Sequence, residues 1–210
     1  IYRYMTTNTE QENKPDSISD YFEKLVPSLH QTDSIVGDFI IYKNDTIVSQ
    51  AILMFGEYCY AEIKIMSRYL DKDSLYLDIG TNIGFHARAV NNLVGCNVIG
   101  FEPHPNHFCV AAYNCKDKNI LLYHTALGSK AGTIELKNFN EETQGNYGDL
   151  TTVTEDIDDV IEVPLKKLDS FNLDKCTLMK IDVEGAEFDV LKGATKTIKK
   201  FNPVIFYVAL

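Results

Sequence analysis

Between Leu75 and Glu102 an apolar run, Leu75-Tyr76-Leu77-Asp78-Ile79, enters a glycine-bearing turn, Gly80-Thr81-Asn82-Ile83-Gly84. A helical stretch, Phe85 to Leu93, follows and leads into a second run, Asn97-Val98-Ile99-Gly100-Phe101-Glu102. Strand, helix and strand of these lengths make a βαβ unit, and a parallel pair of this kind is stable only when helices cover its faces. The same rhythm continues with a helix near Pro105 to Asp117, a strand Ile120 to Leu127 and a strand near Leu178 to Val183. It closes with a helix Ala186 to Phe201 and a last strand Val204 to Leu210. The expected fold class is therefore α/β, a Rossmann-like three-layer sandwich with a mostly parallel sheet.

Ahead of this unit the pattern differs. Residues 1–16 are polar and without apolar period, and Ser17 to Val26 reads as a short amphipathic helix stopped by Pro27. Two β-rich runs, Ile35 to Tyr42 and Thr46 to Ile52, flank Lys43-Asn44-Asp45 and predict a hairpin. A helix over Tyr60 to Leu70 places Ile63, Met66 and Leu70 on one face. Residues 1–55 are thus expected to form an extension of helix and hairpin, and residues 56–210 the main domain. With 210 residues, 45% of them apolar, one compact unit is expected.

A net charge of −10, with basic residues only scattered or in pairs such as Lys166-Lys167, leaves no electrostatic footprint for nucleic acid. No apolar run approaches the roughly 20 residues that span a bilayer, so no membrane partner is expected. Cys59, Cys96, Cys109, Cys115 and Cys176 are odd in number, contain no CxxC and lie mostly in apolar stretches. Reduced core thiols follow, and with them a cytoplasmic location. The polar, acidic stretch from Asn138 to Asp159, with Gly145 and Gly148 inside it, reads as an ordered lid or a mobile loop.

In open α/β sheets ligands sit beyond the carboxyl ends of the strands, and the first βα turn must let a ligand approach the backbone, which Gly80 and Gly84 allow. The spacing is DxGxxxG rather than GxGxxG. A carboxylate at Asp78 suits a ligand bearing an amino group, such as the methionine moiety of S-adenosylmethionine, better than a pyrophosphate. Glu102, about 20 residues after the turn, stands where a carboxylate accepts hydrogen bonds from ribose hydroxyls, with Pro103 fixing the strand exit. Thr125-Ala126-Leu127-Gly128 offers small and apolar residues for packing beside an adenine ring, although it equally suits an ordinary strand exit.

The string Lys180-Ile181-Asp182-Val183-Glu184-Gly185-Ala186-Glu187 puts Lys180, Asp182 and Glu184 on one strand face, so the polar set converges at the ligand edge. Methyl transfer needs chiefly alignment of nucleophile, carbon and leaving sulfur. A hydroxyl acceptor benefits from a base, and Asp182 or Glu184 is the first candidate, with His104 the alternative. His86 and His107 read as packing or surface residues of helices. No His or Asp spacing demands a metal.

These strings, together with Gly56-Glu57-Tyr58, Phe101-Glu102-Pro103, Ala126-Leu127-Gly128 and Asn146-Tyr147-Gly148, make the chain resemble the FkbM-type methyltransferase family from about Asp45 onward. The resemblance implies S-adenosylmethionine as cofactor and O-methylation of a hydroxyl on a sugar or other small natural-product-like acceptor. It places cofactor contacts at Asp78, Gly80, Asn82 and Glu102, and extends them to Glu57, Thr81, Gly84 and Phe85, and to Pro103, Ala126, Leu127 and Asp182. Two departures stand out: Thr81 where the family usually has Ala, and Phe206-Tyr207-Val208-Ala209 where a Glu is common near the end of the last strand. The fold normally adds a helix and an antiparallel strand pair beyond this point, so a truncated domain or a homodimer covering that edge is expected. A binding or scaffold module on the same fold is the alternative reading, and an NAD-dependent oxidoreductase a weaker one, because GxGxxG is missing.

Overall fold

The computed structural model describes residues 24–148 and 159–207. Pro27 sits in a 3-10 turn, Val26–Ser28, which leads into β1 (Leu29–Thr32); of the helix expected over Ser17 to Val26, Lys24 and Leu25 are helical and residues 17–23 lie outside the described residues. β1 pairs antiparallel with β2 (Phe39–Tyr42), Leu29 opposite Tyr42. Next come α1 (Val48–Phe55), α2 (Tyr60–Ser67), β3 (Leu75–Ile79), α3 (Phe85–Val94), β4 (Asn97–Phe101), α4 (Pro105–Asn114) and β5 (Ile120–Tyr123). The chain continues through β6 (Ala126–Leu127), β7 (Gly132–Lys137), β8 (Val160–Lys166), β9 (Leu178–Ile181), α5 (Glu187–Gly193), α6 (Thr195–Phe201) and β10 (Val204–Tyr207).

β10, β9, β3, β4 and β5 form one parallel sheet in that order. Side-chain alternation along these strands serves two cores. Tyr76, Val98, Leu122 and Leu178 face Ile63 and Met66 of α2, Phe85 and Val90 of α3, and Phe108 and Ala112 of α4. Leu77, Ile79, Phe101, Met179 and Ile181 face Val190, Ala194 and Leu168 on the other side. This is the Rossmann-like three-layer arrangement that the alternating pattern requires. β6, β8 and β7 make a separate small sheet beside it, β6 parallel and β7 antiparallel to β8.

The segment before β3 packs into the first core. Phe39, Ile41, Tyr42, Val48 and Ile52 are buried with Phe85 and Phe108, and the Phe39 and Phe85 rings meet edge-on at 5.4 Å. Asn114 joins the layers: its side chain accepts from Ile40 N at 2.8 Å and donates to the carbonyls of Ile40 and Ile83, both at 2.9 Å.

Four elements differ from the sequence expectation. The hairpin forms between β1 and β2 around residues 33–38, and Thr46 to Ile52, expected as its second strand, is the start of α1. Asp45 decides this, because its carboxylate accepts from Ile47 N at 3.2 Å and Ser49 N at 2.6 Å, satisfying amides that a helix start leaves open. Gly56, left-handed at φ 70°, ends the helix. The expected strand Ile120 to Leu127 divides into β5 and β6, which belong to different sheets. The expected helix Ala186 to Phe201 divides at Gly193 and Ala194, where a Cβ on Gly193 would lie 2.0 Å from the Gly128 carbonyl oxygen and Asp169 takes the Lys196 and Thr197 amides. β7 and β8, which carry no strong turn signal between them, had no counterpart in the sequence pattern.

Asp45 also accepts from Tyr147 N at 3.4 Å and is buried, so it ties α1 to the stretch that follows β7. Asp45→Ala is expected to lower stability by about 1–2 kcal/mol, read as a shift in the urea midpoint, and Asp45→Asn to recover most of it.

Candidate functional site

In a parallel sheet the connection leaving β3 runs to β4 on one side while β9 lies on the other, so the carboxyl ends of β3 and β9 diverge and open a crevice. A cleft of about 1120 Å³, counted to its open mouth, lies there. Its floor depends on Gly80: at φ 84°, a Cβ on this residue would stand 1.8 Å from the Asp182 carbonyl oxygen. Only glycine lets the turn after β3 lie against the backbone leaving β9. Asp182 N donates to Ile79 O at 3.0 Å and closes that contact.

Asn82, also left-handed at φ 51°, aims its backbone N–H at Glu102. Glu102 Oε2 accepts from Asn82 N at 2.7 Å and Oε1 from His104 N at 2.9 Å. Each carboxylate oxygen keeps a second lone pair, so two further donors from the cleft can be accepted. Burial pushes the Glu102 pKa up to about 8, and the two amides offset only part of this. Thr125, Ala126 and Leu127 line the same cleft, together with Ile134 and Leu136 of β7. The described part of the 138–159 stretch closes one side, with Asn146 and Gly148 on the wall and Tyr147 stacked on Phe139 at 4.5 Å.

The other end of the cleft is charged. Lys180 Nζ stands 3.0 Å from Asp182 Oδ2 and 3.8 Å from Asp78 Oδ1, and Tyr76 donates its hydroxyl to Asp78 at 3.1 Å. Burial opposes the charge on Lys180, but Asp78 and Asp182 hold its pKa above the ordinary value. Burial raises Asp78 to about 6 against the pull of Lys180. Tyr58, His86 and Glu184 complete this end.

Of the residues expected from the sequence, Gly80, Thr81, Asn82, Phe85, Glu102, Pro103, Ala126, Leu127, Asp182 and Glu184 line one cleft. Glu57, Asp78, Gly84 and His104 do not. Glu57 accepts from Tyr60 N at 2.8 Å and starts α2, while its neighbour Tyr58 reaches the cleft. Gly84 precedes α3 at φ 91°, where a Cβ would crowd Cys115 Sγ at 2.8 Å, so it serves packing. Asp78 lies wholly buried behind Lys180. His104 is a correction to the proton-acceptor set: it is fully buried, its Nδ1 accepts from Asn106 N at 3.3 Å, and its Nε2 donates to Asn138 Oδ1 at 3.0 Å. Burial lowers its pKa to about 4, and both ring nitrogens are committed to capping α4 and holding residue 138.

Sequence reasoning missed His86 and His107 as wall residues. Both lie on helices as expected, but both are buried, line the cleft and carry Nε2 atoms without a hydrogen-bond partner. The available signal was position alone: His86 follows the glycine turn by two residues. Lys180 was read as part of the polar strand face, but not as the ion that joins two carboxylates. Among the described residues, no three His, Cys, Asp or Glu side chains gather as a metal site, and no helix is long and apolar enough to cross a membrane.

A doubly wound sheet whose switch-point crevice holds a glycine turn and a carboxylate at the end of the next strand defines a domain of the nucleotide-binding α/β class. The Methyltransferase FkbM domain model matches residues 78–210, and the chain belongs to that family. It is 29% identical over 150 residues to the hexuronic acid methyltransferase AglP of Haloferax volcanii, covering 68% of this chain and 59% of that protein. Methyltransferase 1 of Beauveria bassiana is 29% identical over 198 residues, covering 80% of this chain and 76% of that protein. The 2-O-methyltransferase NoeI of Sinorhizobium fredii is 27% identical over 159 residues, covering 65% of this chain and 64% of that protein. The fold is shared with a crystal structure of methyltransferase FkbM from Methylobacillus flagellatus at a TM-score of 0.50 and 16% identity, over 91% of this chain and 48% of that one.

An acid whose pKa is raised in the fold favours its protonated form there. The stability contributed by Asp78 and Glu102 is therefore whole below their ordinary values of 3.8 and 4.5, and is lost as pH rises through about 6 and about 8. The urea midpoint of the ligand-free protein is expected to fall from about pH 4 to about pH 8, with Glu102→Gln removing the part of the decline above pH 6. A wild-type midpoint that stays level across that interval would show Glu102 ionising as an ordinary carboxyl.

Proposed function

We propose that this chain binds S-adenosylmethionine in the switch-point cleft and methylates a hydroxyl on a sugar-type acceptor. The observation that carries the reading is Glu102: a buried carboxylate at the end of β4, held by two backbone amides, with one lone pair on each oxygen left toward the cleft. A ribose diol presents two hydroxyl donors at matching spacing. Ala126 and Leu127 form the apolar wall suited to an adenine ring, and the Lys180–Asp182 end takes the charged aminoacyl group. Membership in the family, and this chain's similarity to a hexuronic acid methyltransferase and a 2-O-methyltransferase, support the sugar hydroxyl as acceptor.

S-adenosylmethionine, when bound, supplies an electrophilic methyl group on a sulfonium. The residues of this chain have to align the acceptor with it, exclude water and take a proton. Asp182 pairs with Lys180, and Glu184, left-handed at φ 49° just past β9, lines the cleft at a half-buried site. Glu184 is therefore the residue assigned to accept the proton of the acceptor hydroxyl, with Asp182 holding the ligand. Tyr58, Phe85 and Asn146 line the same cleft.

Calorimetry with S-adenosylhomocysteine and transfer of labelled methyl to a panel of uronic acid and hexose glycosides test this. Glu102→Ala is expected to weaken S-adenosylhomocysteine binding by about 1–3 kcal/mol, and unchanged affinity would remove the ribose site. Glu184→Gln is expected to keep that affinity while methyl transfer falls by roughly 10²-fold or more. Undiminished transfer would exclude Glu184 as the proton acceptor.

A further inference from the structure

Lys180 is an ammonium group in the interior of a parallel sheet, on a strand flanked by β3 and β10, with 2% exposure. Such burial costs several kcal/mol unless the charge is paired, and an apolar replacement of a buried pair is often no less stable. Pairing with Asp182 and Asp78 keeps the residue charged, yet the pairing leaves capacity over. Asp182 Oδ2 at 3.0 Å is a hydrogen bond, while Asp78 Oδ1 at 3.8 Å is beyond that distance. An ammonium has three donors, and Lys180 lines the cleft.

The neighbourhood has a sign pattern. Asp78, Lys180 and Asp182 run negative, positive, negative from the core to the cleft, and Asp182 has a third of its side chain exposed. Beside them, the first residues of α3, Phe85 and His86, are on the cleft wall, and the Ala87 amide in the same turn is directed at Asp78. The Nε2 of His86 lacks a partner although the residue is more than nine-tenths buried. A lysine with spare donors and an unpartnered imidazole nitrogen favour an anion on one side, and the exposed carboxylate of Asp182 favours a cation next to it. Adjacent opposite charges at this spacing are what a zwitterionic α-amino acid group carries.

We propose that Lys180 holds the α-carboxylate of the cofactor's aminoacyl end, and that Asp182, kept in place by Lys180, takes its α-ammonium. This rests on the S-adenosylmethionine reading above, and it gives the lysine of the 180–187 string a specificity role.

Three probes separate the parts by calorimetry: S-adenosylhomocysteine, its decarboxylated analogue S-adenosyl-3-thiopropylamine, and 5′-methylthioadenosine, which lacks the aminoacyl end. The wild type is expected to prefer S-adenosylhomocysteine over the decarboxylated analogue by about tenfold or more. Lys180→Met should erase that preference and leave 5′-methylthioadenosine affinity unchanged, and Lys180→Arg should restore part of it. Asp182→Asn, which does not depend on Lys180→Met folding, should weaken both amine-bearing ligands and spare 5′-methylthioadenosine. Equal weakening of all three ligands by Lys180→Met would reduce Lys180 to a brace for the sheet, and a wild type without the preference would overturn the proposal outright. Failure of the wild type to bind any of the three would instead remove the cofactor reading on which the proposal stands.

Discussion

The site depends on a contact that exists because a side chain is missing. At Gly80 the turn after β3 lies directly on the carbonyl of Asp182, in space that any Cβ would occupy. That closeness brings two strand ends, separated by about a hundred residues of sequence, to one edge. Two residues further on, Asn82 in the left-handed conformation points its amide at Glu102. The parallel sheet provides the crevice, and the glycine determines how narrow its floor is.

Around that floor the protein keeps carboxyl groups where water does not reach them. Asp78 and Glu102 are both raised by burial, and the fold answers with Lys180 and Tyr76 for one and with backbone amides for the other. A stability optimum would favour apolar residues at such positions. The Asp78–Lys180 ion pair kept in the interior of the sheet suits a ligand site, because polar groups held in fixed directions cost little further ordering when a ligand arrives.

Much of this was legible before any coordinates. The strands, the helices Phe85 to Leu93 and Pro105 to Asp117, and the polar face of Lys180, Asp182 and Glu184 follow from period and composition, because both encode burial. Prediction failed where a local residue competed with a propensity. Thr46 to Ile52 is rich in β-branched residues, yet the capping carboxylate of Asp45 and the left-handed Gly56 make it a helix start. A single apolar period ran through Gly193, yet the approach of the Gly128 carbonyl broke the helix there. His104 carried a plausible chemistry by type and place, and only the partners of its two nitrogens showed it to be a helix cap.

The sequence by itself determined the fold class, the position of the glycine turn, the acidic end of the second strand and the family resemblance, since each resides in residues close along the chain. Which of those residues face a ligand was decided by the tertiary structure. Asp78 and Glu57 have the right chemistry, but Asp78 is turned into the core and Glu57 caps α2, while His86, His107 and Tyr58 have no motif yet form the wall. The physical reason is that a cleft is made by elements distant in sequence, and the direction of each side chain is set by what packs behind it.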